Sequence, residues 1–310
     1  MTQSIAPRVL RTLDLRGGDP PHVSAASGLV VVKRHLYVVA DDELGLGIFD
    51  HPSQSPGMLL PLAPGELPQD HDARKAVKPD CEALALMPAT ASLPHGALLA
   101  LGSGSRSTRE RGFLVPLDAA GAVAEPPREI DLAPLYSTLR GLLGELNIEG
   151  AFFTAGGVTL LQRGNRSDRR NASLRFDAGA FTDWICGSGN PPKASSTTLF
   201  DLGDIDGVAL AFTDGTALDA SSGDWIFSAA AEDTSDSYDD GTCLGSVVGV
   251  VDGRSGRVVQ QSRLTTVCKV EGMALWGAAG AGHELLLVTD ADDRDQPAML
   301  LSCVLPHATA

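Results

Sequence analysis

A short pattern recurs through the chain at intervals of about 60 residues: an apolar residue, an acid, a small residue, then an apolar run. It reads Cys81-Glu82-Ala83-Leu84, Ile148-Glu149-Gly150-Ala151, Ile205-Asp206-Gly207-Val208 and Val270-Glu271-Gly272-Met273. A degenerate copy, Val23-Ser24-Ala25-Ala26, precedes them. From Ser24 onward the acid positions are separated by 58, 67, 57 and 65 residues, so five units fill the 310-residue chain. A fixed period of this size means an array of supersecondary units, each burying its apolar faces against its neighbours.

Each unit has the same inner order. After the motif comes an apolar strand, at 36–39, 97–101, 158–161, 225–227 and 285–288. A polar loop leads to a third strand at 47–49, 112–117, 172–176, 244–251 and 299–305. A fourth strand is legible in the first four units, for example at 57–62 and 258–264. Gly at 34 and Pro at 19 supply the turns that many short strands need. Four antiparallel strands per unit, repeated radially, predict an all-β, five-bladed β-propeller. Its blades lie at 22–62, 80–131, 147–202, 204–264 and 269–306 within one domain spanning 1–310. The fifth unit lacks a fourth strand, and an unassigned strand stands at 8–15. Pairing the two closes the ring and removes two exposed edges. Apolar residues at 132, 135, 139, 142, 143 and 146, with Pro134 early, predict one short helix near 132–146. Two stacked β-sandwiches would leave the equal phase of the acids unexplained.

Rotational repetition places Ser24, Glu82, Glu149, Asp206 and Glu271 together at one mouth of the central channel. Two carboxylates about 4 Å apart repel by roughly 4 kcal/mol at an effective dielectric near 20. Either some hold a proton or a cation sits among them. A set of hard oxygen ligands without His or Cys suits Ca²⁺. Backbone donors at the blade tips are the alternative. The loops on the same face divide by charge. Asp41 and Asp290 belong to acidic loops, whereas Arg106, Arg109, Arg163, Arg166 and Arg169 lie in the loops of units two and three. On a chain of net charge −15, such arginines read as a wall for a small anionic molecule. His22 and His71 are the histidines placed to act as acid or base on that face.

The acid at each blade, together with the Leu36–Asp42 strand ending in paired aspartates, resembles the calcium-activated nucleotidases, and more loosely the phytase-like propellers. That resemblance implies a central calcium held by Ser24, Glu82, Glu149, Asp206 and Glu271. The expected activity is calcium-dependent hydrolysis of a small phosphorylated or carboxylated substrate. The alternative is a non-catalytic scaffold with a structural calcium. The negative charge argues against nucleic acid and anionic membranes as partners. No run approaches the apolar length of a membrane helix. The first ten residues lack a basic segment followed by an apolar one, so the expected location is cytoplasmic. The five scattered cysteines read as buried small side chains.

Overall fold

The computed structural model describes residues 3–164, 169–219, 222–233, 241–280 and 282–307. The strands β1 (Gln3–Ile5) and β2 (Arg8–Thr12) come first. Blade one is β3 (Ala26–Val32), β4 (His35–Ala40), β5 (Gly45–Asp50) and β6 (Met58–Pro61). After α1 (His71–Val77), blade two is β7 (Cys81–Met87), β8 (Ala97–Gly102), β9 (Arg111–Pro116) and β10 (Arg128–Asp131). After α2 (Ala133–Leu143), blade three is β11 (Ile148–Thr154), β12 (Gly157–Gln162), β13 (Asn171–Asp177) and β14 (Ser196–Phe200), with α3 (Ala178–Ile185) inserted before its last strand. Blade four follows a short β15 (Asp204–Ile205) and is β16 (Val208–Ala217), β17 (Trp225–Asp233), β18 (Thr242–Asp252) and β19 (Arg257–Leu264). Blade five is β20 (Lys269–Ala279), β21 (Gly282–Asp290) and β22 (Met299–Pro306). The five-bladed propeller expected from the repeat is the observed architecture.

The second strand of each blade explains why the repeat was so apolar. In β4, Leu36 and Val38 face blade five while Tyr37 and Val39 face blade two. In β8, Leu98 and Ala100 face blade one while Leu99 and Leu101 face blade three. A strand buried on both faces must be apolar at every position. The core is accordingly five wedges, one per blade seam, rather than one central mass. The helix α2 lies where the 3.6-residue period placed it and seals the wedge between blades two and three with Leu135, Tyr136 and Leu139. The shorter α1 and α3 were not foreseen. Each begins with an Asp N-cap: Asp70 accepts from the Ala73 N–H, and Asp177 from that of Ala180.

The ring closes as the sequence required. Strand β2 is the outermost strand of blade five, antiparallel to β22, with Arg8 opposite Ser302 and Thr12 opposite Met299. An unforeseen addition is β1, which runs parallel to the outer strand of blade four. One segment therefore pairs with two blades, and its continuation buries Leu13 in the wedge between blades five and one. Truncating fully buried Leu13 to Ala is expected to lower stability by about 2–5 kcal/mol. Deleting residues 3–15 should lower the melting temperature further and promote association through the exposed edge of β22. Thermal melts monitored by circular dichroism, together with size-exclusion chromatography, read both outcomes.

Candidate functional site

The innermost strands β3, β7, β11, β16 and β20 run side by side around the axis. Each carries a register break at the same height: between Ala26 and Gly28, Cys81 and Ala83, Ile148 and Gly150, Phe212 and Asp214, and Val270 and Gly272. A bulge of this kind re-aims the extra residue out of the sheet. The residues concerned are Ser27, Glu82, Glu149, Thr213 and Glu271. The small residue that follows has a steric cause. A Cβ on Gly28 would lie 2.9 Å from the Leu84 backbone nitrogen, and one on Gly272 would lie 2.9 Å from that of Leu29.

Three of the expected ring acids therefore meet at the axis, and two expected positions are corrected. Asp206 is not in the channel; its side chain is 77 % exposed, with Arg263 3.9 Å away. Asp206 and Gly207, both at positive φ, form the two-residue turn joining β15 to β16. That dipeptide is a hairpin signal, and in an acidic chain it imitated the ring motif. Thr213 holds the ring position, donating to the Ser228 hydroxyl at 2.9 Å. The next residue, Asp214, accepts from the Gly215 and Met273 amides and so ties blade four to blade five. Ser24 is likewise one turn early. It lies before β3 and donates to Asp42 at 3.1 Å, while Ser27 takes the equivalent place in blade one.

The carboxylates are met by cations of the chain itself. Arg163, from the loop after β12, lies 3.5 Å from Glu149 and 3.7 Å from Glu271 and binds Glu232 directly, joining blades three, four and five. Lys269 lies 2.7 Å from Asp292, 3.4 Å from Glu271, 3.5 Å from Asp290 and 3.7 Å from Glu232. Lys78, at the end of α1, binds Asp41 and stands 3.0 Å from Asp80. Arg109 donates to Asp80 at 2.8 Å. Arg109, buried, and Arg163, half-buried, both expected as an anion wall, are thus engaged in carboxylate pairs, and Asp41 and Asp290 answer lysines. Arg106 and Arg169 are exposed on their loops. Arg166 and the His71 side chain lie outside the described residues. His22 sits beside Asp14 and contacts the Arg294 carbonyl oxygen at 3.1 Å, at the seam of blades five and one.

Asp80 was missed by the sequence reading. Its φ of 56° is a conformation that non-glycine residues rarely hold, and it persists here because Ser103, Arg109 and Lys78 all grip its carboxylate. Lys78 and Lys269 were missed as well. Each stands two to four residues ahead of a motif acid, so a cation shortly before the acid was the available signal.

Carboxylates outnumber cations here, and the proton affinities divide accordingly. Burial pushes Glu149 up to about 8, with Arg163 opposing and Glu271 reinforcing. Burial, then Glu149, Asp80 and Asp41, push Glu82 well above the ordinary range. Burial and Asp41 raise Asp42 to about 6. Burial alone would raise Asp41 too, but Lys78 holds it below its usual value. Glu232 is held low in the same way, by Arg163 and Lys269 against burial. Asp41, Asp80 and Glu82 place one carboxylate oxygen each within 4.8 Å of one another. Asp41 and Glu82 are half-buried, whereas Glu149 and Glu271 are 3 % exposed.

A family profile spans residues 22–305. The chain belongs to DUF6929, a family of unknown function. No curated protein sequence matches this DUF6929 chain. Among solved structures, the catalytic domain of the GH62 α-L-arabinofuranosidase of Coprinopsis cinerea is similar at a TM-score of 0.52 and 11 % identity, covering 98 % of this chain and 97 % of that one. A mannose phosphorylase from Leishmania mexicana is similar at 0.47 and 11 %, covering 99 % and 90 %. The first likeness shows that the DUF6929 chain shares the propeller fold.

Two measurements probe the axial network. Removing Arg163, as in Arg163→Met, leaves Glu149, Glu232 and Glu271 without their shared cation and should destabilise the fold by about 3–5 kcal/mol, read by urea unfolding. The second concerns pH. Glu149 moves from 4.5 to about 8 on folding, so between those values the folded chain keeps a proton that the unfolded chain releases. Stability from this group therefore falls as pH rises from 4.5 towards 8. Melting temperatures of the parent protein should drop across that window, and Glu149→Gln should flatten the drop.

Proposed function

We propose that this propeller is a hydrolase whose centre is the half-buried carboxylate pair Glu82 and Asp41. The observation that carries this reading is the opposite sense of their shifts within one 4.8 Å cluster. Neighbouring carboxyls whose proton affinities are driven apart provide a general acid and a general base at one pH. Glu82, which holds its proton more tightly than an ordinary carboxyl because it is buried among other carboxylates, can deliver it to the oxygen of the leaving group as that bond breaks. Asp41, kept ionised by Lys78, can take a proton from the water that attacks. Asp80 has a positioning role in this scheme. It fixes Lys78 and, through Arg109, the loop beside it. The glycosidase-type propeller noted above is compatible with such chemistry on this fold, although fold alone does not assign activity. The proposed substrate is a small polar molecule. Arg106 and Arg169 are the exposed groups that would meet a carboxylate or phosphate on it.

Glu82→Gln and Asp41→Asn should each lower kcat by about 10²–10⁴ on whichever chromogenic glycoside, carboxylic ester or phosphate ester the protein turns over. The rate should also fall as pH rises through the raised Glu82 value. Turnover by both variants at the parental rate would refute the assignment.

A second reading, calcium binding, is favoured by the same three clustered oxygens. The five-residue hub of Ser24, Glu82, Glu149, Asp206 and Glu271 does not suit the ion. Asp206 is on an outer turn, and Arg163 stands beside two of the other acids. Asp41, Asp80 and Glu82 fit the donor chemistry of calcium, with Lys78 as the competing cation. Bound there, calcium would neutralise the trio and polarise a substrate oxygen. Elemental analysis and melts with and without EGTA test it: stabilisation by calcium in the parent and none in Glu82→Gln is the expected pattern. Stabilisation without any turnover would support a non-catalytic scaffold instead.

A further inference from the structure

The inner strand of blade five carries a second register break, between Leu275 and Gly277. The residue it displaces is Trp276, which is 40 % exposed. Only three tryptophans occur in the chain, and a bulge turns this one outward rather than into a wedge. Trp276 lies five residues beyond Glu271 on β20, roughly 17 Å at about 3.3 Å per residue. It therefore belongs to the face opposite the carboxylates.

His51, at the end of β5 in blade one, meets Trp276 edge-on, with ring centroids 4.6 Å apart and planes at 85°. The two rings stand in a cleft of about 300 Å³ at the seam of blades five and one. That volume is at the lower end of the range for small-molecule sites. Gln54, Arg8 and Glu284 also line it, over a floor that includes Leu300. One wall is held in place by Arg11. Its guanidinium donates to the Ser53 carbonyl at 2.7 Å and to the Ser55 carbonyl at 2.9 Å, and it lies over the Phe49 ring. The loop bearing His51 and Gln54 is thereby fixed before any ligand arrives, which reduces the ordering that binding requires.

The lining selects among ligands. A purely apolar molecule would cover Gln54, Arg8 and Glu284 without replacing their hydrogen bonds to water. An anion would meet Glu284, while Arg11 already spends its donors on carbonyl oxygens. A compact cation would meet Arg8 and Arg11. A molecule with one apolar face and a rim of hydroxyls matches all of it: an aromatic plate for the face, and donors and acceptors for the rim.

We propose that this cleft is a saccharide-binding subsite, with one sugar ring stacked on Trp276 and its hydroxyls held by Gln54, Glu284 and Arg8. It is separate from the carboxylate centre and does not depend on what that centre catalyses.

The test uses xylobiose and cellobiose as probes, with saturation-transfer NMR to detect contact and fluorescence titration to give Kd. Contact by at least one of them is expected. It should weaken about tenfold or more in Trp276→Ala, weaken in Glu284→Gln, and be unchanged in Glu82→Gln. Trp276 and Glu284 are surface groups, and matching melts of the variants and the parent would confirm that the fold is intact. The proposal fails if neither disaccharide contacts the protein at millimolar concentration. It also fails if binding survives Trp276→Ala, or if tetramethylammonium or inorganic phosphate occupies the cleft while both sugars do not.

Discussion

Five inner strands converging on one axis impose a constraint on everything around them. At the height where each strand bulges there is room for one outward-aimed side chain per blade, and three of the five are glutamates. Such groups cannot share a poorly solvated space as bare anions. The chain answers with Arg163 and Lys269 among Glu149, Glu232 and Glu271, and with Lys78 and Arg109 around Asp41 and Asp80. Lys78–Asp41, Arg163–Glu271 and Lys269–Glu232 cross between blades, so they also hold the sheets at their relative angles. Where the cations run short, protons remain: burial raises the affinities of Glu82 and Glu149, and neighbouring carboxylates raise them further.

The fold was legible because its signals are periodic. Strands such as β4 and β8, apolar at every position, and the acid-and-glycine motif set five equal units, and the unpaired strand near residue 10 announced the closure with β22. The site was legible only in part. Glu82, Glu149 and Glu271 were found because a glutamate before a small residue marks a bulge at the axis. Blade four defeated the same reasoning, because two acid–glycine pairs follow each other closely near its start. Asp206-Gly207 has the better spacing but makes a hairpin turn, while Asp214-Gly215 sits at the bulge. Spacing cannot separate them, because both dipeptides also satisfy local backbone demands. The cations that settle the charge, Lys78 and Lys269, stand just before β7 and at the first residue of β20, where the direction of the chain is set by α1 and by the blade-four connection rather than by any repeat.

The two faces of the ring have different chemistry. One gathers ionisable groups whose protonation is set by neighbours in other blades. The other, where Trp276 and His51 meet, offers an aromatic plate with neutral and charged hydrogen-bonding groups at its rim. Both arise from the same device, a bulge on an inner strand, used near each end of β20. A propeller thus places distinct surfaces at its two mouths with little change to the wedges between its blades.

The closure of blade five by β2 has a consequence for how the chain acquires its structure. The partners in that pairing, Arg8 and Ser302, lie at opposite ends of the sequence. During synthesis β2 has nothing to pair with until the last blade has been made, so it must wait while wedge after wedge assembles behind it. Contacts of such long sequence separation form late and slowly. The incomplete ring meanwhile presents an open strand edge to any other chain. The protein is therefore most vulnerable to self-association just before its two ends meet, and a cell that makes it in quantity has reason to shield that interval.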